Sequence, residues 1–115
     1  MEDLSSLLER IEALLDGRDD VVPERRLERM EHTLTDGYAR ALELEAESGR
    51  IQREIGSAAG GGTAKELRTL AGRLAKNEDD LRGLRRELAA LRRAVYDARA
   101  AAEEPAPRVK AGRRR

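Results

Sequence analysis

LERMEHTLTDGYARALELEAESGRIQREI (27–55), GSAAGGGT (56–63) and AKELRTLAGRLAKNEDDLRGLRRELAALRRAVYDARAAA (64–102) are the three consecutive runs that decide the fold. In the first, Leu27, Met30, Leu34, Gly37, Ala41, Leu44, Ser48, Ile51 and Ile55 recur at alternating steps of three and four. In the third, Leu67, Leu70, Leu74, Asn77, Leu81, Leu84, Leu88, Leu91, Val95, Ala98 and Ala102 do the same. A stripe that returns every seven residues keeps one helix face turned towards a partner helix, the signature of a coiled coil. The middle run, rich in glycine, predicts a turn, with Gly56 ending one helix and Thr63 and Glu66 forming a capping box for the next.

The predicted fold class is therefore all-α: an antiparallel coiled-coil helical hairpin over 23–103, its turn at 56–63. A short N-terminal amphipathic helix (1–17) and a linker (18–22) precede it, and a disordered basic C-terminal tail (104–115) follows. Setting Ile55 opposite Leu67 fixes a register that pairs Leu44 with Asn77, Ala41 with Leu81 and Gly37 with Leu84. Small residues then face large ones, which fills space without voids. On the flanks, Glu24 falls opposite Arg99, Glu31 opposite Arg92, Glu47 opposite Arg73 and Arg40 opposite Asp80, with Tyr38 opposite Arg85. Two like-charge pairs, Glu45 with Glu78 and Glu54 with Glu66, oppose this register. Asn77, the one amide in the seam, is read as a register-fixing residue.

The charges support pairing within the chain. Residues 1–55 carry 8 basic and 15 acidic side chains, residues 56–103 carry 10 and 7, and residues 104–115 carry 5 and 1. An acidic first arm thus meets a mildly basic second arm, whereas two first arms in parallel would concentrate like charge. The chain has no Phe, Trp or Cys and only two Tyr, Tyr38 and Tyr96. This excludes a disulfide framework, a thiolate metal site and a cysteine nucleophile, and it argues against an aromatic-lined pocket for a small-molecule substrate. No apolar run reaches the roughly 20 residues needed to span a bilayer, and the acidic start MEDLSS lacks a basic signal region. The expectation is a cytoplasmic protein.

The first helix carries Leu4, Leu7, Leu8, Ile11, Leu14 and Leu15 on a wide apolar face, with Asp3 as N-cap and Gly17 as left-handed C-terminal residue. A helix this short is marginal alone in water, so it must dock on the hairpin or on another chain. Those six residues are the predicted protein-contact surface, with self-association as a homodimer favoured. If docked within the chain, they would lie on the stripe of Ala39, Leu42, Ala46 and Gly49, or beside Val95, Tyr96 and Ala98. The segment LSSLL also fits a docking-box pattern, which any leucine-rich amphipathic helix matches by chance.

Few residues suggest chemistry. Asp16, Asp19 and Asp20 lack the glycine turn and distal glutamate of a calcium loop. GSAAGGGT lacks the GK[ST] ending and the preceding strand of a phosphate loop. His32 has Glu28 one turn before it and reads as a surface residue. The expectation is a non-enzymatic structural or adaptor protein without cofactor or metal, acting through protein–protein association. The alternative is a nucleic-acid-associated regulator, with Arg108, Lys110, Arg113, Arg114 and Arg115 of the tail, and arginines of the third helix, contacting phosphates.

Overall fold

A computed structural model describes residues 2–103. Among these the chain is all-helical, with α1 (Leu4–Asp16), α2 (Pro23–Ala59), α3 (Ala64–Glu103) and no strand. The tail residues Arg108, Lys110, Arg113, Arg114 and Arg115 lie outside the described residues.

Each helix boundary has a local cause. The Asp3 carboxylate accepts the Ser6 N–H at 2.8 Å, satisfying one of the free donors that begin α1. Gly17 ends α1 in the left-handed region at φ 73°, and the Arg18 N–H returns to the Ala13 carbonyl at 2.9 Å. Pro23 occupies the first turn of α2, where its missing N–H costs nothing. At the start of α3 the Thr63 N–H donates to Glu66 Oε1 at 2.7 Å and the Glu66 N–H to Thr63 Oγ1 at 3.0 Å, a complete capping box. One boundary departs from expectation: α2 continues through Gly56 to Ala59, and the turn is confined to 60–63. Ser57, Ala58 and Ala59 are compatible with helix, and the backbone bonds they add outweigh the single glycine.

Positions early in α2 meet positions late in α3. Glu31 pairs with Arg99 at 2.7 Å, Asn77 Nδ2 donates to the Leu44 carbonyl and to Ser48 Oγ at 2.7 Å each, and Arg73 reaches Glu47 at 3.4 Å and Glu54 at 3.3 Å. The pairs of Asn77 with Leu44 and Arg73 with Glu47 are as expected. The others are displaced along α3. Gly37 faces Leu88 and not Leu84; Glu31 takes Arg99 and not Arg92; Glu45 takes Arg85 and not Glu78; Glu54 takes Arg73 and not Glu66. Arg40 turns to Glu43 on its own helix at 2.9 Å, and Asp80 to Lys76 at 3.1 Å.

Gly37 against Leu88 and Ser48 against Asn77 are each displaced by about one turn, so the helices themselves pair one turn further along than simple numbering expects, and side-chain direction carries the ion pairs the rest of the way. A helical side chain leans towards the N-terminus of its own helix. When two helices run in opposite senses, partners lean past each other, so the atoms that meet belong to residues further along both chains. The displacement is one turn for Gly37, which has no side chain to lean, and two turns for each displaced ion pair. It also removes both predicted repulsions, since Glu45 and Glu54 gain arginine partners and Glu66 turns into its capping box.

The core runs along this contact and is thickest where α1 covers it. Leu7, Ile11 and Leu14 join Met30, Ala41, Leu44, Leu81, Leu84, Leu88, Leu91 and Val95 in one buried cluster. Burying an aliphatic side chain of this size contributes roughly 1.5–3 kcal/mol, which supplies what so short a helix lacks alone.

Candidate interaction surface

Two arginines fix α1 in place. Arg10, the only basic residue before Arg18, sends Nη2 to Glu2 Oε1 at 2.5 Å and to Asp36 Oδ2 at 3.0 Å, and Nη1 to Thr33 Oγ1 at 3.2 Å. Although desolvation opposes its charge, the hydrogen bonds to Glu2 and Asp36 raise the Arg10 pKa further, so it is charged at any working pH. Arg26 donates to the Leu14 carbonyl, closing a free acceptor at the end of α1, and to Asp19 Oδ2 at 2.9 Å. The Asp19 carboxyl is held below its usual range chiefly by that bond. Together these contacts tie the middle and the C-terminal end of α1, with its linker, to α2.

Of the six α1 residues predicted to meet a partner, Leu7, Ile11 and Leu14 are buried within the chain. Leu4, Leu8 and Leu15 are half-buried against the same cluster. The apolar face of α1 is therefore packed against its own chain. Of the stripe of Ala39, Leu42, Ala46 and Gly49, α1 reaches only the edge, where Leu7 and Ala39 border one hollow; Leu42 and Ala46 are exposed. It sits instead over Met30 and Thr33 of α2 and the leucines of α3. Thr33 is fully buried, a position the seven-residue stripe passes over. The available signal was polar: Arg10 stands alone among the acidic residues of the first segment and needs carboxylate and hydroxyl partners once α1 docks.

Apart from Val22 just before α2, the large exposed apolar side chains among the described residues lie on the long helices. Leu42 is 66% exposed and Tyr96 72%, with Tyr38 and Val22 also exposed. On α2, Thr35, Ala39, Leu42 and Ala46 form an outward stripe with the half-buried Gly49. On α3, Arg82, Arg86, Ala89, Arg93 and Tyr96 form another, beside a shallow depression that Ala89, Ala90, Arg92, Arg93 and Tyr96 line. Among the described residues Arg86, Arg92 and Arg93 form no ion pair, whereas Arg82, Arg85 and Arg99 each hold a carboxylate.

The remaining candidates are engaged locally. Asp16 bonds Arg18 at 3.2 Å and Asp19 bonds Arg26, and among the described residues no group of three His, Cys, Asp or Glu is placed to hold a metal ion. His32 Nε2 lies 3.7 Å from Asp36, while Glu28 turns to Arg25 at 3.4 Å. The glycine-rich turn borders an open groove with Arg50, Arg53, Lys65 and Glu66 on its walls. No described helix is long and apolar enough to cross a membrane. Comparison with protein-family profiles, curated proteins and solved structures finds no match.

Proposed function

We propose that the chain is an antiparallel coiled-coil hairpin that acts as a non-enzymatic structural or adaptor protein in the cytoplasm, through protein–protein association. The observation that carries this reading is where the apolar side chains go. The seam and α1 satisfy each other, yet Leu42, Tyr38 and Tyr96 stay exposed on long, regular helix faces. Such faces offer contact area at fixed heptad spacing, the means by which helices recognise other helices. Sedimentation of the purified chain over a wide concentration range, with capture from a lysate of its own cells, tests the reading. Concentration-dependent assembly or a stoichiometric protein partner is expected; a chain that stays monomeric and captures nothing defeats it.

The unpaired Arg86, Arg92 and Arg93 favour one second reading, contact with nucleic-acid phosphates by α3 and the basic tail. Phosphate contacts release counterions, so such binding weakens steeply with salt. Deleting 108–115 should then lower both affinity and salt slope. Binding that survives the deletion places the contact on α3, and the absence of any salt-dependent binding removes this reading.

A further inference from the structure

Two departures of the fold from simple numbering have the same size. α3 stands one turn nearer the glycine-rich tip than the expected register places it, and α2 runs one turn further, through Gly56 to Ala59, to meet it. Four residues of helix rise about 6 Å, which is also the length of the slide. We infer that the two are one event: α2 and α3 have two registers a turn apart, exchanged by sliding α3 along α2 while the last turn of α2 winds or unwinds, and α1 holds the register seen here.

The spacing of the seam permits both registers. The offset that sets Gly37 on Leu88 and Ser48 on Asn77 also sets Ala41 on Leu84 and Leu44 on Leu81. One turn back, Gly37 meets Leu84 and Ala41 meets Leu81, so a small residue again faces leucine. Because the seam positions of both helices recur at the same alternating steps, each one on α2 keeps a seam partner on α3 in either register. One-turn ratchets of one packed element past another are a known form of two-state change. The tip is built to follow. Nothing lies within 4 Å of a Cβ built on Gly56, and Ser57 and Ala59 are exposed, so little packing holds that turn in the helix. Arg73, now 3.3 Å from Glu54 and 3.4 Å from Glu47, moves towards Glu47 in the slide and keeps a carboxylate.

Two features select the observed register. Asn77 Nδ2 donates to Ser48 Oγ and to the Leu44 carbonyl, whereas one turn back Asn77 faces Leu44 and Ser48 faces Leu74, which splits the polar pair between aliphatic neighbours. The second feature is α1, which grips both helices. Arg10 bonds Thr33 and Asp36 of α2, while Ile11 is buried in the cluster that holds Leu84, Leu88 and Leu91 of α3. A slide of one turn cannot keep both holds. Docking of α1 at the base is thereby coupled to the last turn of α2, about 35 Å along the helix from Thr33.

The chain has no cysteine, so Ile55→Cys, Leu67→Cys and Leu70→Cys placed together read the register without background. All three positions are half-buried close to the turn. In a thiol–disulfide buffer a 55–70 bridge marks the observed register and a 55–67 bridge the other, and cleavage after Arg68 separates the two for mass spectrometry. The 55–70 bridge should predominate. Asn77→Leu should move the ratio roughly tenfold towards 55–67, and Ile11→Glu should move it the same way. Gly56→Ala should move it roughly two- to fivefold in the opposite direction, because alanine favours the extra helical turn. Circular dichroism confirms that each variant compared keeps its helices. In the cysteine-free chain Ile11→Glu should also quicken amide exchange at 57–59 while 45–50 stay protected, a distant effect that loosening of the base alone does not produce. A ratio that either Asn77→Leu or Gly56→Ala leaves unmoved, or bridges formed only between chains, overturns the two registers. A ratio and a tip exchange that ignore Ile11→Glu overturn the hold of α1.

Discussion

Gly37→Ala and Gly72→Ala are the same chemical change in two helix interiors, and the structure gives them opposite signs. Alanine is favoured over glycine in a helix by about 1 kcal/mol. Nothing lies within 4 Å of a Cβ built on Gly72, so there the gain should appear almost whole, about 0.5–1 kcal/mol and a few degrees in Tm. A Cβ on Gly37 would overlap Leu88 Cδ2 and come within 3.3 Å of Leu88 Cγ. Leu88 is 2% exposed and held among Leu84, Leu91 and Met30, so its methyl can move only into occupied space. Overpacking costs about 1–3 kcal/mol, which leaves Gly37→Ala destabilising by roughly 1 kcal/mol after the helix gain. Leu88→Ala costs about 2–5 kcal/mol alone but makes room, so Gly37→Ala in that background should stabilise. Urea unfolding of the four-member cycle, followed by circular dichroism at one concentration, should therefore yield a coupling of about 0.5–3 kcal/mol. The same cycle with Leu84→Ala should show little. Gly37→Ala as stabilising as Gly72→Ala, or a coupling to Leu84 in place of Leu88, would refute the contact and restore the register that simple numbering predicts.

Three further outcomes follow from α1 and the seam. Ile11 has no exposed surface and Leu8 is half-buried, so Ile11→Glu should cost upward of about 3 kcal/mol and release α1 to rapid amide exchange, whereas Leu8→Glu should cost about 1 kcal/mol. Equal effects would mean that α1 is not docked as described. Asn77→Ala removes two 2.7 Å donor contacts to α2 and should lower stability by about 1–2 kcal/mol in thermal unfolding; no change would leave Asn77 without a role in register. The carboxyls of Asp3, Asp19 and Glu47 lie below their usual range because the Ser6 N–H, Arg26 and Arg50, respectively, donate to them. Near pH 4 the unfolded chain thus binds more protons than the folded one, so their stabilisation is complete above the unfolded carboxylate range and lost as pH falls through the folded values. Tm should drop on that acid limb and Asp19→Asn should flatten it; a Tm constant across the acid range contradicts the assignment.

Periodicity made the helices legible because burying one face of each long helix requires it. The caps were legible too: Asp3, Gly17, Thr63 and Glu66 act within a few residues of their own backbone, where sequence distance equals spatial distance. The end of α2 was less so, since Gly56 and Ala58 pull in opposite directions and only the sum of small propensities decides. Register differed by one turn at Gly37 and Ser48 because the seven-residue stripe continues along both helices and leaves the offset between them to packing, and leaning side chains then took the ion pairs a further turn. The Arg10 network was invisible to seam counting, as Thr33 and Asp36 lie towards α1 and gain meaning only once α1 has a position.

Where α1 docks also decides what a partner can reach. The linker from Gly17 to Val22 is short, and a short tether holds a segment at an effective concentration on the order of millimolar. A second molecule competing for the base of α2 and α3 must match that concentration as well as three buried aliphatic side chains and the two arginine clamps. At ordinary protein concentrations α1 of the same chain wins. Partner exchange at the base is thus disfavoured, and the faces still free to bind are those that α1 cannot reach, around Leu42 on α2 and Tyr96 on α3. Cutting the linker between Asp20 and Val21 separates the effects. It removes the tether advantage without touching the seam, so α1 should dissociate on dilution while α2 and α3 stay paired.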